Sequence, residues 1–308
     1  MLMNKKFVVE VPADIPKSYE DEYRTNYTTI THGTGNLMLF AADQKIEHLN
    51  KDFYGQGIAG DANNPGHLFK IAENGRIGAF ATHLGLIARY GNKYKDINYI
   101  VKLNGKTNLV PTEEQDPVNS LLWDVEDVVT FKKNSGLSIC GIGLTLYIGS
   151  TFESTMLYQA AQAIWQAHQH GLMAIIWVYP RGKSVAEERD GQLIAGAAGL
   201  AASLGADFVK VNPPKEGNGL SSEQWLAIAA EAAGTTKVIC SGGEKTDQKD
   251  FLETLHNQIE QGTVAGNATG RNIHGRSLEQ AIAMTKAISA ITLDGASVDE
   301  ATALLAKK

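Results

Sequence analysis

Lys210 lies in the run Gly205-Ala206-Asp207-Phe208-Val209-Lys210-Val211-Asn212. Flanked by Val209 and Val211, it projects from what reads as a buried strand, where an unpaired ammonium is costly. One chemistry suits such a residue: attack of the neutral amine on a carbonyl to form a Schiff base. At the ordinary pKa of about 10.4, only about one lysine in 10³ is neutral at pH 7, and lowering the pKa by one raises that fraction roughly tenfold. An apolar strand and a neighbouring cation such as Arg181 both push in that direction. The ordinary alternative is a lysine held by a carboxylate inside the fold.

Other residues could join it. Tyr179, in Trp177-Val178-Tyr179-Pro180-Arg181-Gly182, carries a phenol able to pass a proton to and from a substrate hydroxyl, or it simply packs beside Trp177. Asp43, heading Asp43-Gln44-Lys45, suits a substrate hydroxyl or a protonated lysine, and equally a helix cap or turn. Ser241-Gly242-Gly243 and Gly270-Arg271 offer backbone amides and a guanidinium to a phosphate, although glycines are common in loops of any kind. Lys102, Asn104, Lys106, His48 and His83 are further polar residues near the ends of apolar runs. The histidines are scattered, with neither His-x-x-x-His nor Cys-x-x-Cys spacing, so no metal is expected.

These residues must be positioned by a regular frame. Eight apolar runs read as buried strands: 37–42, 77–82, 99–103, 138–147, 173–179, 208–211, 238–240 and 264–268. Amphipathic or Ala-rich stretches separate them, which signals βαβ units. Ser221 with Gln224, Ser277 with Gln280 and Ser297 with Glu300 resemble capping boxes, and Pro65 suits a first helical turn. Segments 152–170 and 193–204 read as helices stopped by Gly171 and Gly205. The expected fold is α/β, a single-domain (β/α)₈ barrel over 36–308, a length near the usual 250 or so residues; a doubly wound sheet is the alternative. Phosphate sites in such barrels commonly follow strands seven and eight, where Ser241-Gly242-Gly243 and Gly270-Arg271 fall. Residues 1–35 are polar, rich in Tyr and Thr, and expected to be an extension packed over one end.

The 308 residues carry 28 Lys and Arg against 34 Asp and Glu, a net charge of −6. No global positive field invites nucleic acid or an anionic membrane, while a locally built phosphate site remains compatible. Cys140 and Cys240 lie in apolar runs and read as buried small hydrophobes, which suits a reducing cytoplasm. The apolar stretch after Lys5 and Lys6 is too short for a signal peptide. The longest uncharged segment, 154–180, is broken by Gln and His residues and makes no membrane span.

In order along the chain, Ala42-Asp43-Gln44-Lys45-Ile46-Glu47-His48, Val101-Lys102-Leu103-Asn104-Gly105, Tyr147-Ile148-Gly149-Ser150, the Trp177 run, Asp207-Phe208-Val209-Lys210, Ser241-Gly242-Gly243 and Gly270-Arg271-Asn272 resemble the archaeal-type class I fructose-bisphosphate aldolases. The resemblance implies that Lys210 forms the imine with a ketose phosphate, that Tyr179 as phenolate takes a proton from the C4 hydroxyl, and that Asp43 assists at the substrate hydroxyls. It implies Ser241, Gly242, Gly243, Gly270 and Arg271 at one phosphate, Arg181 at the other, and Trp177 against the substrate. It implies no metal and no organic cofactor, a sugar-phosphate substrate, and a homo-oligomer. Alternatives are a lysine-dependent synthase or acyl-transferring enzyme on another sugar phosphate, a phosphate-binding isomerase, and a non-catalytic sensor. Many members carry Gly after the Asp-Gln or Asp-His pair; Lys45 stands there in this chain, at the expected mouth of the site.

Overall fold

The computed structural model describes residues 7–306; Lys5 and Lys6 lie outside this range. Eight parallel strands close into one barrel in chain order: β1 (Leu37–Ala41), β2 (Ala79–His83), β3 (Tyr99–Lys102), β4 (Ile139–Ile148), β5 (Met173–Pro180), β6 (Phe208–Val211), β7 (Lys237–Ser241) and β8 (Gly266–Thr269). β8 returns to β1, pairing Leu37 with Gly266, so the sheet has no edge. All eight expected strands are present, with ends displaced by at most two residues, and the doubly wound alternative is excluded. Helices cross between strands, among them Glu153–Gln169 and Gly191–Ser203. Gly171 and Gly205 follow these helices with φ of +64° and +88°, conformations that glycine adopts without strain. Ser221 and Ser297 form full capping boxes; Ser277 accepts only the Gln280 N–H. No helix among the described residues is long and apolar enough to cross a membrane.

The period of two along each strand sorts the side chains into two layers. Met38, Phe40, Phe80, Val101, Val209 and Val211 face out under the helices. Leu37, Leu39, Ala41, Ala79, Ala81, Ile100, Met173, Ile175, Trp177, Phe208, Ile239 and Ala268 fill the interior. Five inward stripes are apolar at their start and polar two residues beyond: Ala41 leads to Asp43, Ala81 to His83, Ile100 to Lys102, Trp177 to Tyr179 and Phe208 to Lys210. The N-terminal mouth is stoppered by helix Glu20–Ile30, whose Tyr27 ring packs 5.4 Å from Phe208 and whose Asn26 donates to the Gly171 carbonyl at 2.8 Å. There Asp207 accepts from Tyr23 at 2.5 Å and from the Ala174 amide at 2.7 Å, beside fully buried His168.

Candidate active site

At the C-terminal mouth a cleft of about 130 Å³ is lined by Asp43, Gln44, Glu47, His48, Trp177, Tyr179, Arg181, Lys210, Asn212, Ser241, Gly242, Gly243, Gly270 and Arg271. Lys210, Tyr179, Asp43, Trp177, Arg181, the two Gly loops with Ser241 and Arg271, and His48 all lie here; His83 lies beside Lys102 and Asn104 instead. Lys210 is 6% exposed, and its amine lies 5.5 Å from the Trp177 ring centroid; Trp177 is its partner in strand register. Burial drives the Lys210 pKa down, Asp43 opposes, Lys102 adds to the depression, and the result is about 8. The cation that matters is therefore Lys102 rather than Arg181. The reason is geometric: Lys102 points into the barrel from β3, whereas Arg181 lies just beyond β5. There its guanidinium is engaged by both carboxylate oxygens of Glu188 at 2.8 Å and covers the rings of Tyr147 and Tyr179.

Lys102 donates to Asp43 at 2.7 Å, both side chains being nearly inaccessible, and its amine lies 4.7 Å from the Trp177 ring centroid. Two ammonium groups thus share one indole and one carboxylate. Burial would raise the Asp43 pKa, but Lys102 and then Lys210 hold it well below the usual carboxylate range. In the sequence Lys102 reads only as a polar strand-end residue. The signal that marks it is its place two residues after inward Ile100.

Burial, then Glu47 and Asp43, pushes the Tyr179 phenol well above its ordinary pKa. Two nearby carboxylates and a dry wall disfavour a further anion there. Glu47, part of the motif that begins at Ala42, receives the Tyr147 hydroxyl at 3.0 Å. Trp177 Nε1 and Gln44 Oε1 also line this wall, buried without a hydrogen-bond partner among the described residues, a donor and an acceptor suited to a ligand.

The loops after β7 and β8 are shaped by close approach. A Cβ on Gly242 would meet Thr269 Oγ1 at 2.9 Å, and one on Gly270 would meet the Ala41 carbonyl at 2.5 Å. Gly243 has φ +64°. Asn272 donates to the carbonyls of Gly242 and Glu244, tying the two loops together, and Ser241 donates to Asn212 at 2.8 Å. Among the described residues Arg271 has only long ion pairs, 3.9 Å to Asp52 and 3.8 Å to Glu244. Lys45 turns away from the mouth. Its amine donates to the Asn63 carbonyl at 3.0 Å and lies 4.1 Å from the Phe53 ring centroid, fastening the loop after β1.

A closed parallel barrel whose C-terminal rim gathers two amines, carboxylates and a phenol is built for carbonyl chemistry. The chain belongs to the DeoC/LacD family of aldolases, whose model matches residues 37–276. A Methanocaldococcus jannaschii protein named fructose-bisphosphate aldolase/6-deoxy-5-ketofructose 1-phosphate synthase is 54% identical over 297 residues, covering 96% of this chain and 94% of that one. A Halobacterium salinarum protein named fructose-bisphosphate aldolase class 1 is 33% identical over 268 residues, 87% and 94% of the two chains. The solved fructose-bisphosphate aldolase of Slackia heliotrinireducens superposes with a TM-score of 0.95 at 52% identity, covering 96% and 93%. An archaeal fructose-1,6-bisphosphate aldolase, solved with its catalytic Lys bound to the carbinolamine intermediate, gives 0.74 at 27%, covering 87% and 98%.

Proposed function

We propose that the protein is a Schiff-base (class I) aldolase that reversibly cleaves fructose 1,6-bisphosphate to dihydroxyacetone phosphate and glyceraldehyde 3-phosphate. The observation that carries this reading is Lys210, a buried inward lysine whose pKa is brought to about 8 beside a carboxylate already engaged by Lys102. Its neutral amine attacks the C2 carbonyl, water leaves, and the iminium serves as electron sink when the bond between C3 and C4 breaks. Asp43 orients substrate hydroxyls, Tyr179 transfers protons, and Trp177 lines the substrate. Ser241, Gly242, Gly243, Gly270 and Arg271 hold one phosphate, and Arg181 faces the other. The same reading makes the protein a cytoplasmic homo-oligomer without nucleic-acid or membrane partners. Residues 1–35 form its extension and 36–308 its barrel.

A second reading is favoured by the dual name of the 54% identical relative: the same imine joins a ketose-derived unit to another aldehyde in a synthase reaction. Borohydride reduction with dihydroxyacetone phosphate, followed by peptide mapping, tests both, and the adduct is expected on the Lys210 peptide. Its absence would sink the imine. Assaying fructose 1,6-bisphosphate cleavage beside condensation with unphosphorylated aldehydes then separates the two readings. Tyr179→Phe is expected to keep the adduct while cleavage falls roughly 10²–10⁴-fold; full activity would remove Tyr179 from the proton path.

Lys102→Met frees Asp43 to pair with Lys210 and removes a cation that depresses it. The Lys210 pKa then rises, and with it the pH at which the rate reaches half its plateau. Activity at pH 7 falls about tenfold for each pH unit by which that midpoint climbs. A pH–rate profile unmoved from wild type would contradict this coupling.

A further inference from the structure

The second phosphate of the proposed substrate poses a charge problem. Arg181, which faces it, already gives its Nε and Nη2 to the two carboxylate oxygens of Glu188 at 2.8 Å. Glu47 lines the same cleft and adds another carboxylate. One guanidinium against two carboxylates leaves no positive excess for a phosphoryl group that itself carries about −1.5 to −2 at pH 7. A further cation is needed.

Lys106 stands in the loop after β3 and has no part in the chemistry so far. Its amine lies 6.0 Å from the centroid of the Tyr147 ring, and the Arg181 guanidinium lies 5.5 Å from the same centroid, so one ring carries both cations. Asp43 and Glu47, which line the cleft, also line the niche that holds Lys106 beside Lys102, Asn104 and Asn119. The Lys106 amine donates to the Thr107 carbonyl at 2.8 Å and to Asn108 Oδ1 at 3.2 Å, both neutral acceptors. An ammonium has three N–H donors, so one is left for a ligand. The other lysines near the mouth are committed elsewhere: Lys102 to Asp43, Lys45 to the Asn63 carbonyl, and Lys210 to the imine of the proposed reaction.

We propose that Lys106 is the second cation, beside Arg181, for the phosphate on C6 of the substrate, and that it sets the preference for a phosphorylated aldehyde half. This rests on the aldolase reading above. The loops after β7 and β8 take the C1 phosphate, so the two ends of the sugar are read by different cations: Arg271 at one, Lys106 with Arg181 at the other. Lys106 touches the end of the substrate that leaves as aldehyde. It therefore acts on binding of the whole sugar and not on the imine between Lys210 and the ketone half.

The test compares fructose 1,6-bisphosphate with fructose 1-phosphate, which lacks only the C6 phosphate. Lys106→Met keeps the side-chain length and removes the charge. Its kcat/KM for the bisphosphate is expected to fall roughly 10–100-fold, the range of one charge-assisted hydrogen bond, with most of the loss in KM. For fructose 1-phosphate the same substitution should leave kcat/KM close to wild type, and Lys106→Arg should recover most of what the bisphosphate lost. Borohydride trapping of Lys210 should half-saturate at the same dihydroxyacetone phosphate concentration as in wild type, which also shows that the variant is folded. Overturning results are equal losses on the two sugars, an unchanged KM for the bisphosphate, or a wild-type protein that cleaves both sugars with equal kcat/KM. Absence of the adduct in wild type instead defeats the aldolase reading itself.

Discussion

Lys210→Met is expected to abolish cleavage of fructose 1,6-bisphosphate, with kcat lowered by roughly 10⁵–10⁶, the scale seen when a covalent nucleophile is deleted from a hydrolase. No other side chain in the cleft replaces a covalent electron sink. Methionine has nearly the length of lysine and sits in a wall already apolar, so the folded state should survive and near-native circular dichroism should accompany the loss. The wild-type pH dependence is part of the same expectation. The nucleophile is the neutral amine, and its pKa is about 8. Where imine formation limits the rate, kcat/KM climbs about tenfold per pH unit below 8 and levels above it. A variant retaining more than about one part in 10³ of wild-type kcat would defeat the claim.

Its counterpart in stability lies at the opposite mouth. His168 is fully buried between Asp14 at 2.7 Å and Asp207 at 3.3 Å. Burial lowers the imidazole pKa, but Asp207 and Asp14 outweigh it and raise the value to about 9. A folded pKa raised above the unfolded 6.5 contributes stability that is complete below about pH 6.5 and lost as pH rises through about 9. His168→Gln leaves the Asp207 carboxylate buried without its cation, and such breaks cost about 3–5 kcal/mol. At a few degrees per kcal/mol, the melting temperature should fall by roughly 10 °C at pH 6, and the gap should narrow above pH 9. Calorimetry at both pH values decides this. An equal gap at both, or none, would show that the charge is not what matters. Residual activity below the transition should be unaffected, because the network is separated from the cleft by the whole apolar interior.

Much of the fold can be read in the residues themselves, since apolar runs such as Met173–Tyr179 and glycine stops such as Gly171 act locally. The site is readable in part for the same reason: Lys210 between two valines contradicts its surroundings. Lys102 carries the same contradiction, after Ile100 and Val101, yet its meaning depends on Asp43, 59 residues away. No local pattern shows that pair. Arg181 misleads in the opposite direction. Its place beside Tyr179 suggests a neighbour for Lys210, but strand register sends it past the rim to Glu188. His168 is hidden because it looks like an ordinary helical polar residue; only closure of the barrel brings Asp207 to it.

The interior stripes, apolar from Leu37 to Ala41 and from Phe208 inward, then charged at the next step, have an evolutionary consequence. Foundation and chemistry occupy different storeys of one column. Residues of the upper storey can change and redirect the barrel to other carbonyl substrates while the lower storeys keep it folded. Asp43 and Lys102 are the exception, since each is buried against the other and neither can drift alone. A lineage exploring new sugars on this scaffold would therefore be expected to vary around that pair before it varied the pair itself.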